Sequence, residues 1–256
     1  MLKAIGIIPA RMEASRFPGK PMEPLMGMPM IGHCYNRTRL APGLSAAYVA
    51  TCDIVIAKYI ANIGGEAIMT ACSHKRATSR TAEALEIIES KTNEQIDVVV
   101  MVQGDEPLIS PEIIGETLRH FRDPEVDIVN VMSKLRTLEA FTDRNNVKVV
   151  VDCDSNALYF SREPIPSPWK GWEHLPRYMQ TGIIAFRRDT LKQFNSMPET
   201  TLEQFESVDM NRVIETGGNI RMVPTDTFTI GVDTPEELAE AQRHLLNDPN
   251  CSRYLQ

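Results

Sequence analysis

No Cys-x-x-Cys pair occurs in this chain, and its five cysteines (Cys34, Cys52, Cys72, Cys153, Cys251) are widely spaced and odd in number. Neither a zinc site nor a disulfide framework is indicated, and a reducing cytoplasm is the expected location. No apolar run approaches the ~20 residues that a membrane span needs. The opening Met1-Leu2-Lys3 enters an apolar strand without the pattern of a secretory signal. Net charge is −7, and no basic stretch is long enough to track a nucleic-acid backbone, so a nucleic acid polymer is not an expected partner. The chain lacks G-x-S-x-G, G-x-x-x-x-G-K-[ST] and G-x-G-x-x-G, which removes sequence support for a serine hydrolase elbow, a Walker loop and a dinucleotide fingerprint. The five histidines show no metal-ligand spacing, and the thirteen scattered methionines are adequately explained as core filling.

What is present is an ordinary globular composition, 43% hydrophobic and 24% charged over 256 residues. The first half alternates strand-length apolar runs (Ala4–Ile8, Ala46–Thr51, Glu66–Thr70, Asp97–Val102) with segments of helical length and spacing (Pro29–Leu40, Asp53–Ile63, Thr78–Ser90, Ser110–Phe121). Such alternation predicts an α/β fold with a mostly parallel, Rossmann-like sheet covered by helices on both faces. The middle breaks this pattern. Val147–Val151 and Ala157–Phe160 flank a polar turn and predict an antiparallel hairpin. The following stretch carries Pro164, Pro166, Pro168, Pro176 and both tryptophans, and predicts a loop or lid. Further on, Gly182–Phe186 and Asn219–Pro224 read as strands, and Leu202–Glu215 reads as one helix. Thr234-Pro235-Glu236-Glu237 reads as the start of a last helix, with Thr as cap, Pro at the first position and Glu three residues after the cap. A single domain with an inserted antiparallel part is the simplest organisation.

Three segments bear chemistry. The run Pro9-Ala10-Arg11-Met12-Glu13-Ala14-Ser15-Arg16-Phe17-Pro18-Gly19-Lys20-Pro21 follows the first strand and concentrates three cations in an acidic chain. It suits a polyphosphate approached by cations and backbone N–H groups, or else is a solvated basic loop. Gln103-Gly104-Asp105-Glu106-Pro107 ends a buried strand, at the sheet edge where open α/β folds bind ligands. Carboxylates there, beside a phosphate loop, suit Mg²⁺, although Asp, Gly and Pro are also ordinary turn residues. Asp233 precedes a helix, where the dipole favours an acid in any case; only the company of Asp105 makes it a metal-ligand candidate. Two arginines have weaker claims. Arg80 heads the third helix, as a phosphate or base contact or a surface residue, and Arg162 ends the hairpin, as a carboxylate clamp or a solvent-facing strand end.

Together these segments resemble the sugar-acid cytidylyltransferases, in particular the 3-deoxy-manno-octulosonate (Kdo) cytidylyltransferase family. Its PAR…S-R-x-PGKP is similar to Pro9-Ala10-Arg11…Ser15-Arg16-Phe17-Pro18-Gly19-Lys20-Pro21, and its QGDEP to Gln103–Pro107. Its N-x-VKVV…ALYFSR is similar to Asn145–Val150 and Ala157–Arg162, and its VDTPEDL to Val232–Leu238. The resemblance covers residues 4 to about 245. It implies Mg²⁺-dependent transfer of CMP from CTP to an acidic acceptor, with pyrophosphate released. It implies that Arg11, Ser15 and Lys20 hold the triphosphate, that Ala10, Arg80 and Gln103 line the nucleotide site, and that Asp105 and Asp233 ligate the metal. It also implies a homodimer, an insertion at about 145–200 that serves acceptor binding and dimerisation, and the nucleotide-diphospho-sugar transferase type of fold.

Of four departures from the family pattern, the first three fall where that family contacts the sugar. Gln180 stands where a histidine is usual, Ile184 where a tyrosine is usual, and Val208-Asp209-Met210-Asn211-Arg212 where L-E-Q-L-R is usual. Gly-Thr-Glu-Arg reads Ala77-Thr78-Ser79-Arg80. Expected acceptor contacts are therefore Gln103, Arg162, Gln180, Glu206 and Met210. Different polar groups imply a different ligand. The acceptor is then Kdo, a relative such as an amino-Kdo, or another acid such as a small phosphonate; a non-catalytic nucleotide-binding relative is the alternative from another class.

Overall fold

The computed structural model describes residues 2–13 and 16–255. The chain runs β1 (Ala4–Pro9), β2 (Pro24–Leu25), β3 (Met28–Pro29), α1 (Met30–Arg39), β4 (Ala46–Thr51), α2 (Ile54–Asn62), β5 (Glu66–Met69), α3 (Ala77–Thr92), β6 (Val98–Val102) and α4 (Pro111–His120). It continues with β7 (Ile128–Lys134), α5 (Leu138–Thr142), β8 (Lys148–Val151), β9 (Ala157–Ser161), β10 (Tyr178–Arg187), α6 (Arg188–Ser196), α7 (Thr201–Glu206), α8 (Asn211–Glu215), β11 (Arg221–Thr225) and α9 (Pro235–Leu245).

The main sheet has the order β11-β7-β10-β6-β1-β4-β5, and β8 and β9 are attached through β10. Within the main path β10 is antiparallel to both its neighbours, while β1, β4, β5 and β6 pair in parallel. Period-two alternation explains how strands with uniform apolar sequence serve two cores. Ile5 and Ile7 of β1 join Val99 and Met101 of β6 beneath α3 and α6. Ala4 and Ile8 join Val98, Val100 and Val102 on the opposite face, against α1, α2 and α4.

The sequence-based expectation did not include β2, β3, α5, α6 or β7, and two differences bear on the architecture. β7 is a buried strand between β11 and β10, and its run is interrupted by Asn130 and Ser133. Asn130 has a specific task. The register between β7 and β10 shifts between Gln180 and Ile184, and the Asn130 amide donates to the carbonyls of Thr181 (3.2 Å) and Ile183 (2.8 Å) inside that irregularity. The expected helix over Leu202–Glu215 is instead two short helices, α7 and α8, broken at Ser207, whose φ is +52°. The break lets Glu203 fold back onto Arg212 in a bidentate pair, at 2.6 and 2.7 Å, buried between the two helices.

β10 is the hinge of the architecture. Its second half, Ile183–Arg187, pairs with β6, and its first residues, Tyr178 and Met179, pair with β8. β8, β9 and this first half of β10 form an antiparallel arm that continues the main sheet.

Candidate active site

The phosphate-type loop leaves β1 and is pinned at both ends. Asp53, after β4, accepts the Met12 N–H at 2.8 Å, and Gly19, at φ +81°, donates its N–H to the Met12 carbonyl at 2.9 Å. The loop then turns Lys20 inward. Its ammonium donates to Asp105 Oδ2 (2.6 Å), Asp233 Oδ1 (2.8 Å) and the Val232 carbonyl (3.0 Å). Burial alone would pull the Lys20 pKa down, but the charges and hydrogen bonds of Asp105 and Asp233 outweigh it and hold the ammonium above its ordinary value. Asp105 leaves β6, and its carbonyl accepts the Val232 N–H at 2.9 Å; that link brings the start of α9, with Asp233, beside it. Thr234 caps α9 by accepting the Glu237 N–H, and Glu237 in turn accepts the Asp233 N–H at 2.7 Å. Gly104 fits closely here: a Cβ would stand 3.0 Å from the Pro9 carbonyl and 3.3 Å from Ala10 Cβ, so its neighbours would have to shift to admit one.

These residues border a cleft of about 310 Å³ lined by Ala10, Arg11, Lys20, Arg80, Gln103, Asp105 and Asp233, all expected from sequence. Ser15 lies outside the described residues. Arg80 is not a surface residue. It is buried, donates to Thr70 Oγ1 at 2.6 Å, and keeps its Nη2 without a partner among the described residues. Arg16, one of the three loop cations expected to suit a polyphosphate, also lines the cleft, as do His74, Lys75 and Arg76, which the sequence did not point to. These last three are on the loop after β5, which carries no recognisable spacing. Six arginines and lysines thus face three carboxylates (Glu13, Asp105, Asp233) in a protein whose net charge is −7. The surplus positive charge suits a polyanion.

Glu106, the second carboxylate that the sequence offered for Mg²⁺ at this strand end, does not line the cleft. It is buried, accepts the Gly182 N–H at 2.5 Å, and has its second oxygen unpaired. Burial, reinforced by the Asp105 charge, pushes its pKa up to about 8. It also explains Gly182, where a Cβ would stand 2.6 Å from Gln103 Cβ and 2.8 Å from Glu106 Oε1.

The expected acceptor residues fare differently. The Met210 side chain is fully buried in the core, which corrects its assignment as a ligand contact. Glu206 receives the hydroxyls of Tyr159 (2.9 Å) and Ser161 (2.7 Å) and the Arg162 N–H (2.8 Å). These hydrogen bonds, against an opposing effect of burial, lower its pKa. The Arg162 guanidinium donates to the carbonyls of Glu206 (2.7 Å) and Arg144 (2.9 Å), so it is engaged inside the arm rather than turned into the cleft. Gln180 is half-buried at the β10 irregularity, with its backbone N–H on the Val147 carbonyl. None of Arg162, Gln180, Glu206 and Met210 lines the cleft.

A family model described as "Cytidylyltransferase" matches residues 5–221. The chain belongs to the cytidylyltransferase family. A 3-deoxy-manno-octulosonate cytidylyltransferase of Syntrophus aciditrophicus (strain SB) is 42% identical over 247 residues, spanning 96% of this chain and 98% of that protein. One from Trichlorobacter lovleyi is 38% identical over 255 residues, spanning 95% and 99%. A solved CMP:2-keto-3-deoxy-manno-octonic acid synthetase complexed with CTP superposes with a TM-score of 0.85 at 36% identity, covering 95% of this chain and 98% of that one. A putative glucose-1-phosphate thymidylyltransferase from Bacillus anthracis shares the fold alone, with a TM-score of 0.67 at 16% identity. As a cytidylyltransferase the protein is a nucleotidyl-transferring enzyme, and among its described residues no helix is long and apolar enough to cross a membrane.

Proposed function

We propose that this cytidylyltransferase transfers CMP from CTP to Kdo or a closely related ulosonic acid and releases pyrophosphate, in the assembly of lipopolysaccharide-type glycans. The observation that carries this reading is the Lys20–Asp105–Asp233 cluster at the strand ends of a positively charged cleft. The full-length similarity to relatives named for this reaction supports it. Arg11, Ser15 and Lys20 are the proposed triphosphate contacts, and Ala10, Arg80 and Gln103 the proposed nucleotide contacts.

The residues present fit Mg²⁺. Among the described residues Asp105 Oδ1 is buried without a partner, and the donors at hand are carboxylate oxygens, which suit a hard cation. Among the described residues no group of three or more His, Cys, Asp and Glu is placed to hold a metal, so two carboxylates with phosphate oxygens and water make the appropriate set. Bound there by Asp105 and Asp233, Mg²⁺ would neutralise charge on the triphosphate and the leaving pyrophosphate. Lys20 spends its three ammonium protons on Asp105, Asp233 and the Val232 carbonyl, so direct contact with an anion requires it to give up one of these bonds. Catalysis in this reading is positioning and charge stabilisation, with no nucleophilic side chain.

Acceptor contacts are proposed at Gln103 and Gln180, with Arg162 and Glu206 bracing the arm through their mutual hydrogen bonds. The chain acts as one domain, and the segment at about 145–200, which contains the arm, forms the surface of a homodimer. Trp169 (87% exposed) and Leu158 (55%) support this, since they leave large apolar groups uncovered within that segment. Five free cysteines accord with action in the cytoplasm. Pyrophosphate release with CTP across Kdo, amino-Kdo and small phosphonates tests the reading; release with a phosphonate and with no ulosonic acid would overturn it. Light scattering that returns a monomer mass would remove the dimer.

A further inference from the structure

Arg16 sits at the rim of the cleft with its guanidinium shared between two distant parts of the chain. Nη2 donates to Asp233 Oδ2 at 2.6 Å, and Nη1 donates to Asn145 Oδ1 at 2.5 Å. Asp233 is one of the two carboxylates that also hold Lys20. Asn145 belongs to the short turn between α5 and β8, on the arm.

That turn is bound firmly to the arm. The fully buried Lys148 spends all three ammonium protons on carbonyls, those of Asp143 (2.8 Å), Asn146 (2.6 Å) and Arg162 (2.6 Å). Arg162 adds a bond to the Arg144 carbonyl and is itself held by Glu206. A displacement of Asn145 is therefore a displacement of the β8–β9 hairpin, and through β8 it reaches Tyr178 and Met179 of β10.

We propose that Arg16 couples occupancy of the nucleotide cleft to the arm. A polyphosphate in the cleft competes with Asp233 for the Arg16 guanidinium, and a cation on Asp233 competes with Arg16 for the carboxylate. Both exchange the same contact. The planar fork of arginine allows one edge to change partner while the other keeps Asn145, which a lysine ammonium at this position does not allow. Arg16 then carries the Asn145 turn with it, and the arm is ordered when nucleotide is bound. By reciprocity, an acceptor that orders the arm raises CTP affinity by the same factor. This inference rests on the proposed reading that CTP occupies the cleft.

Hydrogen exchange of the full chain, with and without Mg²⁺ and CTP, tests it. In the wild type, CTP is expected to slow exchange over 144–151 and 157–163 by about threefold or more. Asn145 is exposed and outside the cleft, so Asn145→Ala is expected to keep the CTP Kd within about threefold and the thermal midpoint unchanged, while the arm response is lost. Arg16→Lys, which keeps the charge, is expected to lose the arm response as well. An equal arm response in wild type and Asn145→Ala overturns the coupling, as does CTP binding to the wild type with no arm response. No CTP binding to the wild type overturns the nucleotide reading itself.

Discussion

The cleft and the arm use similar residues to opposite ends. In the cleft, Lys20, Asp105, Asp233 and Arg80 sit at the ends of parallel strands or the start of a helix, and the set is not saturated: among the described residues, Asp105 Oδ1 and Arg80 Nη2 are buried without a partner. In the arm and on the adjoining α7, Arg162, Glu206 and Lys148 are equally polar, but each is saturated by its neighbours there. A charge at the edge of a rigid parallel sheet is available to a ligand, because the sheet is already held by its two apolar cores. A charge in a thin antiparallel arm with little core of its own serves to hold the arm together. Residue type alone does not separate these two uses.

The comparison can be broken at four points. The largest effect is expected from Asp105→Ala, which removes a proposed metal ligand and one partner of Lys20; turnover falls by about a thousandfold while the thermal midpoint shifts little. An unchanged rate in a CTP-dependent pyrophosphate assay would end the proposed role. Next, Arg212→Met leaves the Glu203 carboxylate buried and unpaired, which costs about 3–5 kcal/mol, or roughly 10 °C in a melting experiment. A smaller loss would mean that this corner of the second half is not held by its ion pair. Third, Glu206→Gln replaces an acceptor of three hydrogen bonds by a group that sets an amide against one of its donors. The KM for the acceptor is expected to rise about tenfold with the CTP Kd nearly constant, since one lost charge-assisted bond is worth about 1.4 kcal/mol. A change in CTP Kd instead would place Glu206 with the cleft.

The fourth point is a pH dependence and concerns Glu106. Its folded pKa of about 8 lies above the ordinary carboxylate value, so the native state keeps a proton that the unfolded chain gives up near pH 4.5. Its stabilising contribution is whole below about pH 4.5 and declines as pH rises through about 8. Melting of the metal-free protein between pH 5 and 8 is therefore expected to show a steeper fall for wild type than for Glu106→Gln, which can still accept the Gly182 N–H. Parallel curves would show that the carboxyl is ionised in the fold.

Much of the fold could be read from the sequence, and the reasons are local. Ala46–Thr51 and Glu66–Met69 carry unbroken apolar runs bounded by polar residues, and Thr234-Pro235 announces its helix by a cap whose hydrogen bond is present. β7 escaped because Asn130 and Ser133 are buried for a tertiary reason, one of them stapling a neighbour's irregularity. The single helix expected over Leu202–Glu215 failed because the Glu203–Arg212 pair, nine residues apart, is made only when the chain folds back. In the site, the motif residues at strand ends came together as expected. Met210 did not, since its position in a pattern says nothing of which way the backbone presents it.

One feature sets the order of assembly. β10 separates β6 from β7 in the sheet, yet it is some eighty residues later than β6 in the chain, so the contacts that join the two sides of the sheet close a long loop. The nucleotide half can pair β1, β4, β5 and β6 from the first hundred residues alone, whereas the edge of β6 stays open until residues 178–187 arrive. Refolding should thus proceed in two stages, with amides of β1 and β4 protected before those of β7 and β10 in a pulse-labelled exchange experiment. Until the second stage, the unpaired edge of β6 is the part of the chain most exposed to pairing with a stranger.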